Sequence, residues 1–438
     1  MSYMRPHYEF LRFTATPSLL ALGLLATHAA AQDVKVLDAV NGPYFTLQAA
    51  LDAASSGDII LVEPGLHVSG TAPMIDGKSI SILAVDSSQP TRIGPIRVQN
   101  LSSEDDVVFR GISFTRYLTA PNFTTNATIL SNAGTVSFDG CSFVDGLVTG
   151  QGTARPAVEL VGGGGDVMFT RCSVLGADGL PSIGLGVPGL GAGVAISAVD
   201  QNVYMFGSDV IGGRGGESLP GADAILVDGA SVYVTGGSVV GGIGGWTSTS
   251  SSCSDGGDGG DGIAGSAVTI ELFDATDLGA AANILGGAGG ASQNGNCAPG
   301  AAGQGISATG SVLYHGGFLT STSSDVGVVE AGDDVTMIFE GPAFAGGSAW
   351  FLRVSPGIEP LALPPVGIEV LPAPVQLGVY AFTGPSGSVS ITSYLDPAGT
   401  NEGSVIAVQS FHFNPNAPNA YLGAYTHVAV VRPGFDPL

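Results

Sequence analysis

Positive charge is the scarcest commodity in this 438-residue chain: 13 Lys and Arg face 37 Asp and Glu, a formal net charge of −24. A field of that sign repels phosphate backbones and anionic lipid, so nucleic acid and membrane surfaces are excluded as partners. It favours cations and basic partners instead, and it keeps the chain in solution. Beyond residue 31 the only lysines are Lys35 and Lys78, which leaves lysine-based catalysis little to work with. Cysteine is also scarce. There are 4, none within four residues of another Cys or of a His, so no zinc-site spacing exists. No glycine-every-third period runs through the chain, which excludes collagen. After the first 31 residues no apolar run approaches the roughly 20 residues that a membrane span needs.

What is abundant is glycine, 69 residues, together with 44% hydrophobic residues. That apolar share excludes wholesale disorder. Glycine mixed with β-branched residues suggests short strands joined by tight turns. The N-terminus reads as a signal peptide over 1–31. Arg5 and Arg12 form its basic region, Ser18–Ala26 its apolar stretch and Ala29–Ala31 its small-residue cleavage site. Its removal leaves 36 acidic against 11 basic residues, in a product expected to be secreted or held at the cell surface without membrane insertion.

Internal repetition decides the fold. Val108–Phe114, Ser137–Phe143 and Met168–Val174 superimpose without gaps. Phe109, Phe138 and Phe169 correspond, then Ile112, Cys141 and Cys172, then Phe114, Phe143 and Val174. Looser copies follow at Met205–Val210 and Val234–Val239, with fainter echoes near Leu272, Leu313 and Ile338. Apolar and polar residues alternate in each copy, and the phase slips by one at a fixed place. Alternation means a strand with one buried face, and the slip marks a corner onto a new strand facing the same core. Such repeats bury their apolar faces only by stacking. The expectation is an all-β fold: a right-handed parallel β-helix of roughly nine coils between residues 57 and 340, at about 4.8 Å per coil.

A helical period over Phe45–Ala54, with Leu47, Ala50, Leu51 and Ala54 on one face, predicts a short helix covering the N-terminal end of that stack. Phe45–Ala54, Gly57–Val62 and Pro64-Gly65 together resemble the opening of pectin-lyase-like right-handed β-helix proteins, which runs IQAAIDAA…GDTIxVxPGxY. The likeness covers about 25 residues and departs at its last position, where His67 follows Leu66. It implies the fold, and with it the lyases, hydrolases, esterases, adhesins and structural proteins the fold hosts. Proline thickens after Gly341, and residues 343–438 read as a small antiparallel β-sandwich with strands near 348–354, 376–382, 387–394, 404–413 and 425–431. The run from Gly403 to Val431 resembles C-terminal domains of exported planctomycete-type repeat proteins. The expected organisation is thus signal peptide 1–31, β-helix 32–342 and C-terminal domain 343–438.

Four kinds of site residue stand out. Cys253 and Cys297, in glycine-rich loops of neighbouring coils, are expected to form a disulfide in an exported protein. Cys141 and Cys172 hold equivalent positions one coil apart, and so form either a disulfide or a stacked pair of buried thiols. Asp258 and Asp261 lie in Gly256–Ala264, which fits one copy of the calcium nonapeptide G-G-x-G-x-D-x-U-x; the alternative is a solvated acidic turn. Glycine clusters at 162–165, 212–216, 241–245 and 286–290 recur once per coil and read as turns that need positive φ.

Catalytic signatures are thin. The doublets Asp105-Asp106 and Asp333-Asp334 read as turn caps. For a pectate lyase the resemblance implies a calcium-binding acidic cluster and an Arg base; Arg110 and Arg171 fall on strands, and their neighbours in the repeat are read as offering no such cluster. His67, His315, His412 and His427 lack acidic or Cys neighbours in sequence, and each reads as structural or exposed. Two functions are carried forward. One is an exported or cell-surface structural or adhesive scaffold, contacting extracellular polysaccharide or another surface protein, whose rod holds the C-terminal domain away from its attachment. The other, implied by the resemblance, is a polysaccharide lyase or glycoside hydrolase. No cofactor is expected beyond the Ca²⁺ alternative.

Overall fold

The computed structural model describes residues 33–38, 40, 42–86, 88–115, 125–144, 154–179, 191–247, 255–273, 284–292, 297–315, 321–324, 328–330, 332–340, 348–355, 360–363, 367–369, 375–383, 388–394, 403–413 and 420–431. The expected signal peptide lies outside them. Parallel pairing joins 22 strands into one sheet that winds as a right-handed β-helix. The register is the one the repeats dictate. One inward ladder runs Ile60, Ile82, Phe109, Phe138, Phe169, Met205, Val234, Leu272 and Tyr314. Phe109, Phe138 and Phe169 stack face to face at centroid separations of 5.1 and 5.3 Å, and Phe114 stacks on Phe143 at 4.7 Å. Stacked aromatic pairs contribute about 0.5–1.5 kcal/mol each beyond the area they bury.

The phase slip is a corner in left-handed backbone. Gly111, Gly140, Arg171, Gly207 and Gly236 follow equivalent strands, with φ of 67°, 61°, 51°, 56° and 65°. A second corner stacks Gly77, Asn100, Ser131, Gly162, Asp200 and Gly229 in the same region. Glycine, Asn and Asp tolerate this conformation, whereas Ser131 and Arg171 sit there at a steric cost of about 1–2 kcal/mol each.

At the N-terminal end the helix Leu47–Ala53 places Leu47, Ala50 and Leu51 on the core. Thr46 Oγ1 accepts from the Ala49 amide at 3.2 Å, which fixes the start. Lys78 Nζ donates to the carbonyls of Leu51 at 2.6 Å and Ala54 at 2.9 Å, satisfying the other end.

The coil-on-coil ladder of the first sheet ends at His315 among the described residues. Ser321–Ser324 and Asp334–Glu340 already belong to the second, mainly antiparallel sheet, so the echo at Ile338 is no coil and the change of architecture precedes the expected 342/343 boundary. The strands Ser348–Ser355, Val375–Thr383, Ser388–Tyr394, Ser404–Phe413 and Ala420–Val431 lie within a few residues of their expected places. The C-terminal unit is not held away on the rod. Its last strand runs along the flank of the helix, where Ala429 and Val431 pack on Ile59, Leu61 and Leu83, and Ala407 and Tyr425 on Met168, Tyr204 and Phe206. Those helix residues point outward and are apolar, so burying them requires such a cover.

Candidate functional site

Two outward ladders form this flank, covered over its middle levels and open at its last, where Leu313 is 45% exposed. One reads Leu83, Arg110, Asp139, Thr170, Phe206, Thr235, Phe273 and His315; the other reads Ser81, Val108, Ser137, Met168, Tyr204, Tyr233, Glu271 and Leu313. Asp139 is 1% exposed and stands directly over Arg110 in the register. Beside Arg110 and Arg171 stands a single acid, Asp139, which pairs with both. The Arg171 guanidinium contacts Oδ1, and Arg110 Nε lies 3.9 Å from Oδ2. From the C-terminal strand, Thr426 Oγ1 donates to Oδ2 at 3.2 Å and the His427 amide at 3.1 Å. The His427 imidazole Nδ1 sits 3.7 Å from the same oxygen, and neither ring nitrogen has a hydrogen-bond partner among the described residues. Alongside, Ser137 Oγ and the Tyr425 hydroxyl share a hydrogen bond at 2.6 Å.

The electrostatics follow from this arrangement. Burial opposes the charge on Asp139, but Arg171, His427 and Arg110 outweigh it and hold the carboxyl far below its ordinary range. Burial lowers the His427 pKa, and Arg110 and Arg171 add to that against the pull of Asp139. The result is an ionised acid between two cations, with a neutral imidazole on top. Arg110 also donates to Ser324 Oγ at 2.9 Å, a second link to the C-terminal unit. Its acid and imidazole are buried while Arg171 reaches the surface, and its chemistry is that of an electrostatic clamp.

The glycine clusters differ from expectation. Among the described glycines of 212–216, 241–245, 256–262, 286–290 and 300–305, none has positive φ. They are instead extended runs bonded sideways at every third residue. Gly242 and Gly245 donate to Ala222 and Leu219, Gly260 and Gly257 to Gly242 and Gly245, and Gly287 and Gly290 to Gly260 and Gly257. Three residues per turn without internal hydrogen bonds is the polyproline II pattern, and packing such runs together demands glycine at the contacts. A Cβ on Gly245 would lie 1.5 Å from the Gly216 carbonyl oxygen. The ridge is thus a laterally bonded layer, and the need for glycine comes from close approach. Only Gly162–Gly164, at a corner, have the positive φ expected of such clusters.

Asp255, Asp258 and Asp261 follow the same period of three. Their Oδ1 atoms accept from the amides of Ala298 at 2.9 Å, Ala301 at 2.7 Å and Gln304 at 2.6 Å. Asp258 and Asp261 thus tie adjacent runs together, and no group of three or more His, Cys, Asp or Glu able to hold a metal occurs among the described residues.

Cys141 and Cys172 are buried free thiols, which decides between their two alternatives. Each donates one coil back, to Phe109 O at 3.5 Å and Phe138 O at 3.2 Å, and Ser208 Oγ does the same to Phe169 O at 2.9 Å. Both sulfurs are thus engaged with corner carbonyls. Cys297 is disulfide-bonded, while Cys253 lies outside the described residues. Asp105 caps a turn as expected, accepting from the Ser102 amide at 2.9 Å and hydroxyl at 2.6 Å. Two histidines gain acids that sequence proximity hid: His427 meets Asp139, and His315 Nε2 lies 3.0 Å from Glu271 Oε2 in the neighbouring coil. His67 meets the Glu63 carbonyl at 2.7 Å.

No protein-family model matches the chain, and neither does any curated protein or solved structure.

Proposed function

We propose that the protein is an exported structural or adhesive scaffold, a stiff body that presents its surface to extracellular polysaccharide or another surface protein. One observation carries this reading: an acid–base cluster, buried Asp139 and His427 with part-buried Arg110 and Arg171, clamps the C-terminal strand onto the helix flank. A buried ion cluster with added hydrogen bonds from both bodies fixes their relative position. The laterally bonded glycine ridge adds a second rigid surface, on which Ile243 and Trp246 stand 51% and 47% exposed. A disulfide at Cys297 suits an oxidising compartment and supports export.

The test is a screen of the secreted chain, after N-terminal sequencing, against pectins, alginates and other polyuronates with and without Ca²⁺. The proposal expects binding of at least one surface glycan or protein with no turnover, and a loss of that binding in Trp246→Ala. Sustained release of unsaturated or reducing ends from any polymer refutes it in favour of a lyase or hydrolase of the pectin-lyase-like kind.

A further inference from the structure

The C-terminal end of the β-helix differs from every other level of the stack. Its last strand, Ile306–His315, pairs with Ile263–Phe273 and has no other strand partner among the described residues. Its core-facing side chains are incompletely covered. Tyr314 ends the ladder of Phe109, Phe138, Phe169 and Leu272, and is 48% exposed where Leu272 is 1%. Ile306 and Val312 are half-buried, while Ile263 and Ile270 beneath them are fully buried. The segment 316–320, at about 3.3–3.6 Å per residue, spans at most roughly 18 Å. The open edge of a ten-residue strand is roughly 33 Å long, so that linker cannot line it. Long unprotected edges are templates for pairing, and proteins usually blunt them with charge or proline. Here neither blunts it. The strand lies in a stretch of sequence, Leu278 to Ser324, that contains no Asp, Glu, Lys or Arg in a chain of net charge −24.

We propose that this end is a self-association site, where Ile306–His315 pairs antiparallel with the same strand of a second copy. Two strongly acidic molecules repel one another over most of their surfaces, so an edge strand without Asp, Glu, Lys or Arg is where they approach at least electrostatic cost. The strand is self-complementary. In the register centred on Gly310, Ile306 faces Tyr314 and Ala308 faces Val312 of the second copy. All of these belong to the inward ladders, so the two cores become continuous across a twofold axis. The opposite end of the helix is closed over its core by Leu47, Ala50 and Leu51, which favours this closed pair over head-to-tail growth.

Sedimentation equilibrium on the mature chain tests this. The expected result is a species of twice the monomer mass, retained when salt is raised. Thr309 and Ser311 face outward, are exposed, and oppose each other in the proposed register. The double variant Thr309→Glu/Ser311→Glu should weaken the dimer about tenfold or more, because like charges would oppose one another across the new pair. An equimolar mixture with Thr309→Lys/Ser311→Lys should restore a mixed dimer, which also shows both variants to be folded. A wild-type chain that stays monomeric at about 100 µM overturns the proposal, as does a mass that keeps growing with concentration or a dimer indifferent to the glutamates.

Discussion

Replacing Asp139 by Asn removes one charge and leaves the volume nearly unchanged. In the structure that charge is 1% exposed, meets Arg110 and Arg171, and accepts from Thr426 and His427 of the docked strand. Removing one partner of a buried ion pair costs about 3–5 kcal/mol, because the remaining charges stay buried without compensation. At about 1.4 kcal/mol per tenfold, docking should weaken by roughly two to three and a half orders of magnitude. Urea unfolding at pH 7.5, followed by tryptophan fluorescence, reads this out. Trp350 lies in the C-terminal sheet and Trp246 on the glycine ridge, so the variant should show the C-terminal unit leaving before the helix melts. Replacing the whole cluster, Arg110→Met/Asp139→Leu/Arg171→Gly, should recover most of the loss, since apolar substitutes for a buried ion cluster are about neutral. If Asp139→Asn changes the unfolding free energy by less than about 0.5 kcal/mol, the value for an inconsequential surface change, the clamp does not exist as described.

The acid side of the stability profile carries a second prediction. His427 has a lowered pKa in the folded state, so its contribution is complete above about 6.5, the unfolded value, and declines as pH falls below it. Asp139, also lowered, keeps its contribution above about 3.9 and loses it below. Denaturant midpoints should therefore fall in two steps on acidification, and His427→Phe should flatten the upper one; an unchanged upper step in that variant would contradict the assignment. At the left-handed corner, Arg171→Gly should be less destabilising than Arg171→Ala by about 1 kcal/mol, because both lose the ion pair and only glycine relieves the backbone. In the ridge, Gly245→Ala should cost about 1–3 kcal/mol or more by forcing backbones apart, while Gly70→Ala, with open space around it, serves as the neutral control in thermal melts. A thiol reagent should leave Cys141 untouched in the native protein, since burial pushes its pKa well up, and should reach Cys141 and Cys172 once the chain is unfolded.

The helix was legible because its core repeats are short and apolar: aligning Phe109, Phe138 and Phe169 sets the whole register, and the helix Leu47–Ala53 follows from its own periodicity and cap. The same alignment placed Asp139 over Arg110, yet outward strand positions ordinarily face water. What buries them is a strand 287 residues away, which no local pattern announces. The acids of His427 and His315 were hidden for the same reason, since they are neighbours across coils or bodies. The glycine clusters carried a local period of three, visible in Gly256–Gly262, but turns and close-packed extended runs use the same residue. Only their sideways hydrogen bonds separate the two. Asp334–Glu340 alternates apolar and polar residues as a coil would, and alternation does not distinguish a parallel from an antiparallel neighbour.

Oxidative footprinting of methionines tests most directly whether the C-terminal unit lies on the helix flank. Met168 points out of the helix and is fully buried only because that unit covers it; Met205 lies inside the core, and Met74 is 38% exposed. Hydroxyl-radical exposure of the intact chain should oxidise Met74 readily and spare Met168 as completely as Met205. Oxidation of Met168 at the rate of Met74 would show an open flank, and would contradict the clamp and the scaffold built on it.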